Sequence, residues 1–407
     1  MNKRKVINDP VYGFINIPTD LIYDLIEHPW FQRLRRIKQL GLTEFVYPGA
    51  LHTRFHHAIG AVHLMNNALL HLREKGVAIS DEEMEGAFVA ILLHDIGHGP
   101  FSHTLESTLF EGIHHEFLSL HLMQELNQQF DGKLSLGIQI FENTYHRKCF
   151  HQLVSGQLDV DRLDYLQRDC FFTGVSEGSI GADRIIKMLN VVDDQLVVEE
   201  KGIYSIENFL NSRRLMYWQV YLHKTSVVAE QMLILLFKRL KSLLAKGEDF
   251  NLSPSLKNIA NCKIDSTKDI TPALINDFVQ LDDYDIWAAV KMLQHHPDKV
   301  LHTIATQFIQ RKLFKLELSS HKPSDEYIQN VERYLQNMYS EDFSFYCSHG
   351  KISNEAYVSS KKKIYILTKK NKVIDIAEAS ELPNIKAISK VVEKHFLCYP
   401  KSLEIRG

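Results

Sequence analysis

The chain is 407 residues long, and its 47 Lys and Arg nearly balance its 50 Asp and Glu, leaving a formal net charge of −3. Hydrophobic residues at 45% and charged residues at 24% exclude global disorder, and the balance of signs excludes a whole-molecule attraction to polyanions, so any such affinity must come from local basic clusters. No run approaches the ~20 apolar residues of a membrane span, and five widely spaced cysteines without a C-x-x-C pair fit a reducing compartment, so we expect a cytoplasmic protein with no membrane partner.

From about residue 19 to about residue 248 apolar residues recur three and four apart, which predicts a helical core. Ile22, Leu25 and Ile26 form one apolar face and Phe31, Leu34 and Ile37 the next, with Pro29 as the break between them. Asp81, Glu82 and Glu83 then open a helix with acids at the positive end of its dipole. The same helix runs into the apolar stretch 87–93, which leaves it no polar face, so it must be buried all round. Residues 191–202 break the pattern as a hairpin, and 206–244 read as one long helix. Beyond 251 shorter helices run to about 338; segments 343–347, 356–359, 363–368 and 373–376 predict a small antiparallel sheet, and 385–396 a closing helix. The expected fold is mainly α, with a helical core over 1–250 and a small C-terminal α+β region over 251–407.

The 21 histidines are the compositional anomaly, since imidazole ligates metals and carries protons near neutral pH. His94 and Asp95 end the apolar helix, where an ionised carboxylate is costly unless it is paired, hydrogen-bonded or bound to a cation. A lone His-Asp pair is equally well explained by a mutual hydrogen bond. The stretch 93–103, LHDIGHGPFSH, adds His98 and His103, however, and its Gly97, Gly99 and Pro100 stop the helix and permit a tight turn. Upstream, residues 53–57, TRFHH, set Arg54 near His57, and downstream, residues 159–165, DVDRLDY, group acids around Arg162.

The order His57, His94-Asp95, Asp161 resembles the H…HD…D signature of the HD superfamily of metal-dependent phosphohydrolases. More narrowly, residues 31–41, 54–57, 93–103 and 159–169 resemble the SAM-and-HD-domain deoxynucleoside triphosphate triphosphohydrolases and their bacterial relatives, without the SAM domain. The match runs from about Lys5 to Lys224. It implies an HD-domain helical core whose metal is held by His57, His94, Asp95 and Asp161. Two imidazoles and two carboxylates suit iron, manganese, zinc or nickel, with additional Mg or Mn accompanying the nucleotide. The implied reaction takes a dNTP and water to a deoxynucleoside and triphosphate. His103 would protonate the leaving sugar oxygen, oriented by Glu106 where the family has Asp, and His98 and His115 match further active-site positions. The resemblance also implies phosphate contacts from Arg54, Arg162 and Arg213, a 2′-hydroxyl gate at Tyr165, 3′-hydroxyl contacts from Gln39 and Asp169, and a substrate contact from Tyr221. Tyr217 departs from the family, which has histidine there, and this bears on substrate choice. Lys5, Asn8, Glu27, Gln32 and Arg35 resemble an activator-nucleotide site at subunit interfaces, implying a homo-oligomer, either dimer or tetramer.

Other motifs carry less. Residues 174–178, GVSEG, match the G-x-S-x-G pattern of serine hydrolases but follow a helical stretch where that elbow needs a strand. No Walker-type phosphate loop occurs. The lysines at 361–363 and 369–370 could touch nucleic acid, but such runs are usually a solvated face, and nucleic-acid binding stays open. Two other functions stay open: an HD hydrolase acting on a different nucleotide phosphoester, and a nucleotide-sensing protein that keeps the fold without turnover.

Overall fold

The computed structural model describes residues 5–402 apart from 102, 111–112, 263, 265, 267–268, 355–362 and 382–391. It opens with an antiparallel hairpin, β1 (Val6–Asp9) and β2 (Gly13–Asn16), which the helical reading did not foresee. Asp9 closes its turn by accepting from the backbone N–H groups of Val11 and Tyr12. Helix α1 (Asp20–Glu27) starts where Thr19 accepts from Ile22 N–H, buries Ile22, Leu25 and Ile26, and ends at His28 because Pro29 begins α2 (Pro29–Gln32). An isolated bridge between Lys38 and Thr53 then leads the chain into α3 (Arg54–Glu74).

Helix α4 (Asp81–Leu93) has reciprocal caps from Ser80 and Glu83, and its residues 87–93 are at most 2% exposed. Each large apolar side chain buried there contributes roughly 1.5–3 kcal/mol, so this helix anchors the core. Around it run α5 (His103–Leu109), α6 (His115–Gln129), α7 (Ser135–Phe141) and α8 (Lys148–Ser155). Helix α9 (Val160–Thr173) packs on α3 and terminates at Gly174, whose left-handed φ of +73° is a glycine conformation. Residues 174–178 thus follow a helix and form a 3₁₀ turn, which removes the serine-elbow reading.

After α10 (Ala182–Met188), the predicted hairpin forms as β3 (Leu189–Val192) and β4 (Gln195–Glu199). The single helix expected over 206–244 is instead two, α11 (Ile203–Met216) and α12 (Lys224–Leu244), separated by a π-turn over Tyr217–Tyr221. The break arises because His223 caps α12, its side chain accepting from Thr225 N–H.

Helices α13 (Pro254–Asn261), α14 (Pro272–Phe278), α15 (Asp283–Leu293), α16 (Lys299–Ile309) and α17 (Asp325–Tyr339) follow, with strand β5 (Lys315–Ser319) between the last two. Residues 343–347 do not form the predicted strand: 340–346 make a 3₁₀ turn, placed by stacking of Tyr339 on Tyr346, and the strand β6 (Ser348–Asn354) begins after it. Strands β7 (Tyr365–Leu367) and β8 (Val373–Asp375) fall where expected, followed by the short α18 (Ile376–Ala379). The predicted strand 356–359 lies outside the described residues. The closing helix over 385–396 is also corrected. Its first part lies outside the described residues, and from Val392 the chain is strand β9 (Val392–Tyr399), central between β5 and β6 in an antiparallel sheet. The other sheet is mixed, because β7 pairs parallel with β4 of the core hairpin. One hydrophobic core runs from Ile15 to Tyr399 through both regions. Among the described residues no helix is long and apolar enough to cross a membrane.

Candidate metal centre

Three helices bring the predicted ligands together. His57 lies in the first turn of α3, His94 caps the C-terminus of α4, and Asp161 sits in the first turn of α9, where Asp159 caps the helix by accepting from Arg162 N–H. Ligand atoms of His57, His94 and Asp161 all lie within 4.8 Å of one another. His57 Nε2 is 3.1 Å from Asp161 Oδ1 and 3.3 Å from His94 Nε2. Asp95 borders this trio, with Oδ1 3.3 Å from His94 Nε2 and Oδ2 3.9 Å from His57 Nε2, while Arg54 NH1 donates to Oδ2 at 2.5 Å.

Both imidazoles are held in the tautomer that a metal requires. His57 Nδ1 donates to Asp164 Oδ2 at 2.7 Å, and His94 Nδ1 donates to the Ile91 carbonyl at 2.6 Å, so each Nε2 faces the other ligands. Asp164 is itself clamped by Arg168, which reaches back to Asp9 of the N-terminal hairpin at 2.7 Å. Gly60, one turn beyond His57, makes room for this group, since a Cβ there would stand 2.0 Å from Asp164 Oδ1.

The electrostatics show what the site demands. Burial would lower the His57 imidazolium, yet hydrogen bonds to Asp161 and Asp164 outweigh it and raise the pKa to about 10. His94 is also raised, against burial, chiefly by Asp95. Asp95 and Asp161 are pulled far below the carboxylate range although burial opposes this, Asp95 by His94 and Arg54 and Asp161 by His57 and His94. The carboxylates thus hold protons on the imidazoles, which is the positive charge that a divalent cation would supply instead. Mixed nitrogen and oxygen donors with fixed tautomers fit such an ion.

The loop after α4 is built for closeness. A Cβ on Gly97 would meet Ser119 N at 2.2 Å and His115 O at 2.4 Å, so only glycine lets α6 approach. Ser119 ties the loop by donating to the His94 carbonyl and accepting from Gly97 N–H. His98 stacks on His115, ring centroids 3.9 Å apart, and its Nε2 is 3.3 Å from Asp95 Oδ1. Burial and then the Arg54 charge drive the His98 pKa well down. Glu106 accepts from His115 N–H at 2.9 Å. His103 begins α5, but its side chain lies outside the described residues.

A cavity of about 480 Å³ opens beside the ligands, and Arg54, Asp95, His98, His115 and Asp161 border it. Its other walls include Gln39, Arg162, Tyr165, Asp169, Tyr217 and Tyr221. Gln39 is delivered by the bridge before α3, its N–H donating to His52 O, and its buried side-chain oxygen has no hydrogen-bond partner among the described residues. Asp169 is engaged on both oxygens, by His52 Nε2 at 2.7 Å and the Tyr221 hydroxyl at 2.8 Å. Arg162 lines the cavity while pairing with Asp159. Arg213 does not border the cavity itself; it is buried, donates to Gln157 at 3.0 Å, and its charge acts on Tyr165 in the wall and on Asp159.

The five residues of the expected activator site lie outside the cavity wall, along the N-terminal hairpin, α1–α2 and the turn 33–36 that follows. Lys5 donates to Tyr23 at 2.6 Å, Gln32 bonds Arg35 at 2.8 Å, and the Glu27 charge acts on both Lys5 and Arg35, while Asn8 is exposed on β1. Four supports escaped the sequence reading. Asp164 and Arg168 carried an i,i+4 signal on one helix, but Asp9 and Asp283 carried none. Asp283, the first residue of α15, accepts from Phe101 N–H and Lys38 N–H and so braces the histidine loop from the C-terminal region.

An HD domain family model matches residues 54–169 and an HD associated region model matches residues 180–251. A phosphohydrolase from Bacteroides thetaiotaomicron, solved by crystallography, superposes with a TM-score of 0.94 at 50% identity, covering 98% of this chain and 100% of that one. The uncharacterized protein YwfO of Bacillus subtilis is 32% identical over 100% of this chain and 94% of its own length. The Dictyostelium discoideum homologue of the deoxynucleoside triphosphate triphosphohydrolase SAMHD1 is 33% identical over 56% of this chain and 48% of its own. With its helical core, its converging histidines and aspartates and these relatives, the chain belongs to the HD superfamily of metal-dependent phosphohydrolases.

Proposed function

We propose that the protein hydrolyses deoxynucleoside triphosphates to deoxynucleoside and triphosphate. The observation that carries this reading is that metal-facing carboxylates, arginines and sugar-sized polar groups share one cavity. Asp95 and Asp161 would repel a triphosphate from that cavity unless a cation stood between them and it. A bound divalent ion supplies Lewis-acid polarisation of phosphoryl oxygens and a water of lowered pKa. Arg54 and Arg162 offset phosphate charge from the wall. Gln39, with its unpartnered amide oxygen, accepts a sugar hydroxyl, and the Tyr165 ring occupies space against a 2′ substituent. His103 carries the proton for the leaving oxygen, and Glu106, through its bond to His115, holds the neighbouring histidine pair in place. The name of the Dictyostelium relative agrees with this chemistry. We further propose a homo-oligomer in which Lys5, Asn8, Glu27, Gln32 and Arg35 take an activator nucleotide.

The test is incubation of the full chain with the four deoxynucleotides and the ribonucleotides, with Mn or Mg added, followed by chromatography of products. Inorganic triphosphate from deoxynucleotides, lost in Asp95→Ala, is the expected result. Orthophosphate or pyrophosphate in its place would assign the site to another phosphoester, and bound nucleotide without product would assign it to sensing.

A further inference from the structure

Glu230 is a carboxyl group that the proposed chemistry leaves without a task. It projects from α12 and lines the same cavity as the metal-facing residues. Helix α12 packs on α5 and on the turn Gly41–Phe45, whereas the metal-facing side chains come from α3, the end of α4 and α9. Glu230 is absent from the one group of ligand atoms close enough to share an ion among the described residues. No hydrogen bond or ion pair to a described residue engages its carboxyl. Its pKa rises to about 7 from burial alone, with no neighbouring charge contributing. Glu230 is half-buried in the cavity wall, so its carboxyl faces the cavity with no protein group engaging it and is open to a ligand that brings donors.

The parts of a deoxynucleotide differ in what they can offer. A triphosphate brings only negative oxygens, which a carboxyl on the way to ionisation repels. The sugar brings single hydroxyls, for which Gln39 and Tyr165 already stand in the wall. Only the base brings coplanar N–H groups, and the same cavity wall supplies flat and apolar surface for a ring in Leu40, Tyr221 and Leu222. Guanine presents two parallel donors on one edge, the ring N1–H and the 2-amino group, which match the two oxygens of a carboxylate. Adenine and cytosine present one donor beside a ring acceptor, so an ionised carboxylate takes one hydrogen bond from them and a second forms only with the protonated acid. Thymine presents one N–H between two carbonyl oxygens, and these face a carboxylate with like charge.

We propose that Glu230 is the base-reading residue of the cavity, accepting the paired N–H donors of guanine and discriminating against thymine. The inference rests on the deoxynucleotide reading above and deepens it from a substrate class to a base preference. Ionisation of Glu230 is completed by the base that binds it, because two donated hydrogen bonds favour the charged form.

The experiment measures binding of deoxyguanosine and thymidine to the metal-loaded full chain by calorimetry, beside the product assay with dGTP and dTTP. Wild-type protein should bind deoxyguanosine more tightly, and Glu230→Gln, which offers one acceptor and one donor, should cut the ratio of the two affinities by about tenfold, the scale on which a bidentate contact discriminates between bases. Glu230→Ala serves as a second variant with the same expected loss, and metal content and melting temperature show that each variant is folded. Equal binding of both nucleosides by wild type, or an unchanged ratio in the folded variants, would overturn the assignment. A guanine preference that depends on Glu230 without triphosphate release from dGTP would sink the hydrolytic reading and leave the base-reading role standing.

Discussion

Replacing Asp164 with asparagine removes one charge from a fully buried position while keeping the side chain's size. Asp164 accepts from His57 Nδ1 at 2.7 Å and from Arg168 Nε and NH2, each at 3.0 Å, so every contact it makes is to a donor. An amide accepts at one end only. Its NH2 end must therefore face either the guanidinium or the imidazole, donor against donor, unless His57 moves its proton to Nε2 and blocks the ligand position. Loss of such a carboxylate partner costs about 10–100-fold in metal affinity, equivalent to about 1.4–2.7 kcal/mol. Arg168 keeps Asp9 at 2.7 Å, so the loss of fold stability should stay below the roughly 3–5 kcal/mol seen when a buried pair is broken outright. Chelator competition with Mn or Zn reads the first effect, and thermal unfolding of the metal-free proteins reads the second. A folded Asp164→Asn variant with wild-type metal affinity would refute the argument that Asp164 sets the His57 tautomer.

Gly97→Ala should destabilise the protein by about 1–3 kcal/mol or more, because the added methyl meets the backbone of α6 and not a yielding side chain; a wild-type melting temperature would contradict the close-approach argument. Burial raises Asp283 to about 6, above its unfolded value of about 3.9. A raised carboxyl binds its proton more tightly folded than unfolded, so its contribution is full below the unfolded pKa and is lost as pH climbs through about 6. On this basis roughly 3 kcal/mol should drain away between about pH 4 and pH 6, and Asp283→Asn should flatten that part of the stability profile. Parallel profiles for the two proteins in urea titrations would count against it.

Several parts of the site were legible because their signals are local. The apolar run 87–93 forces a buried helix, and the histidine and aspartate at its end follow from chain adjacency. The glycines of the 93–103 loop announced a turn. Misread elements share a different cause. The 206–244 periodicity continues across Tyr217–Tyr221, and only the cap at His223 and the packing of tyrosines around the cavity break it into two helices with a π-turn between. In the same way the apolar residues of 392–399 satisfy a helix or a strand equally well, and pairing with β5 and β6 decides for the strand.

The candidate ligands, their order and the helices that carry them could be read from the chain, since these depend on residue chemistry and on periodicities of a few positions. Which groups surround them follows from the packing of distant segments. Asp9 reaches Arg168 across 159 positions, and Asp283 reaches Phe101 across 182. Contacts at such separations leave no periodic trace, because they are selected by the packing of whole helices and not by neighbours in the chain.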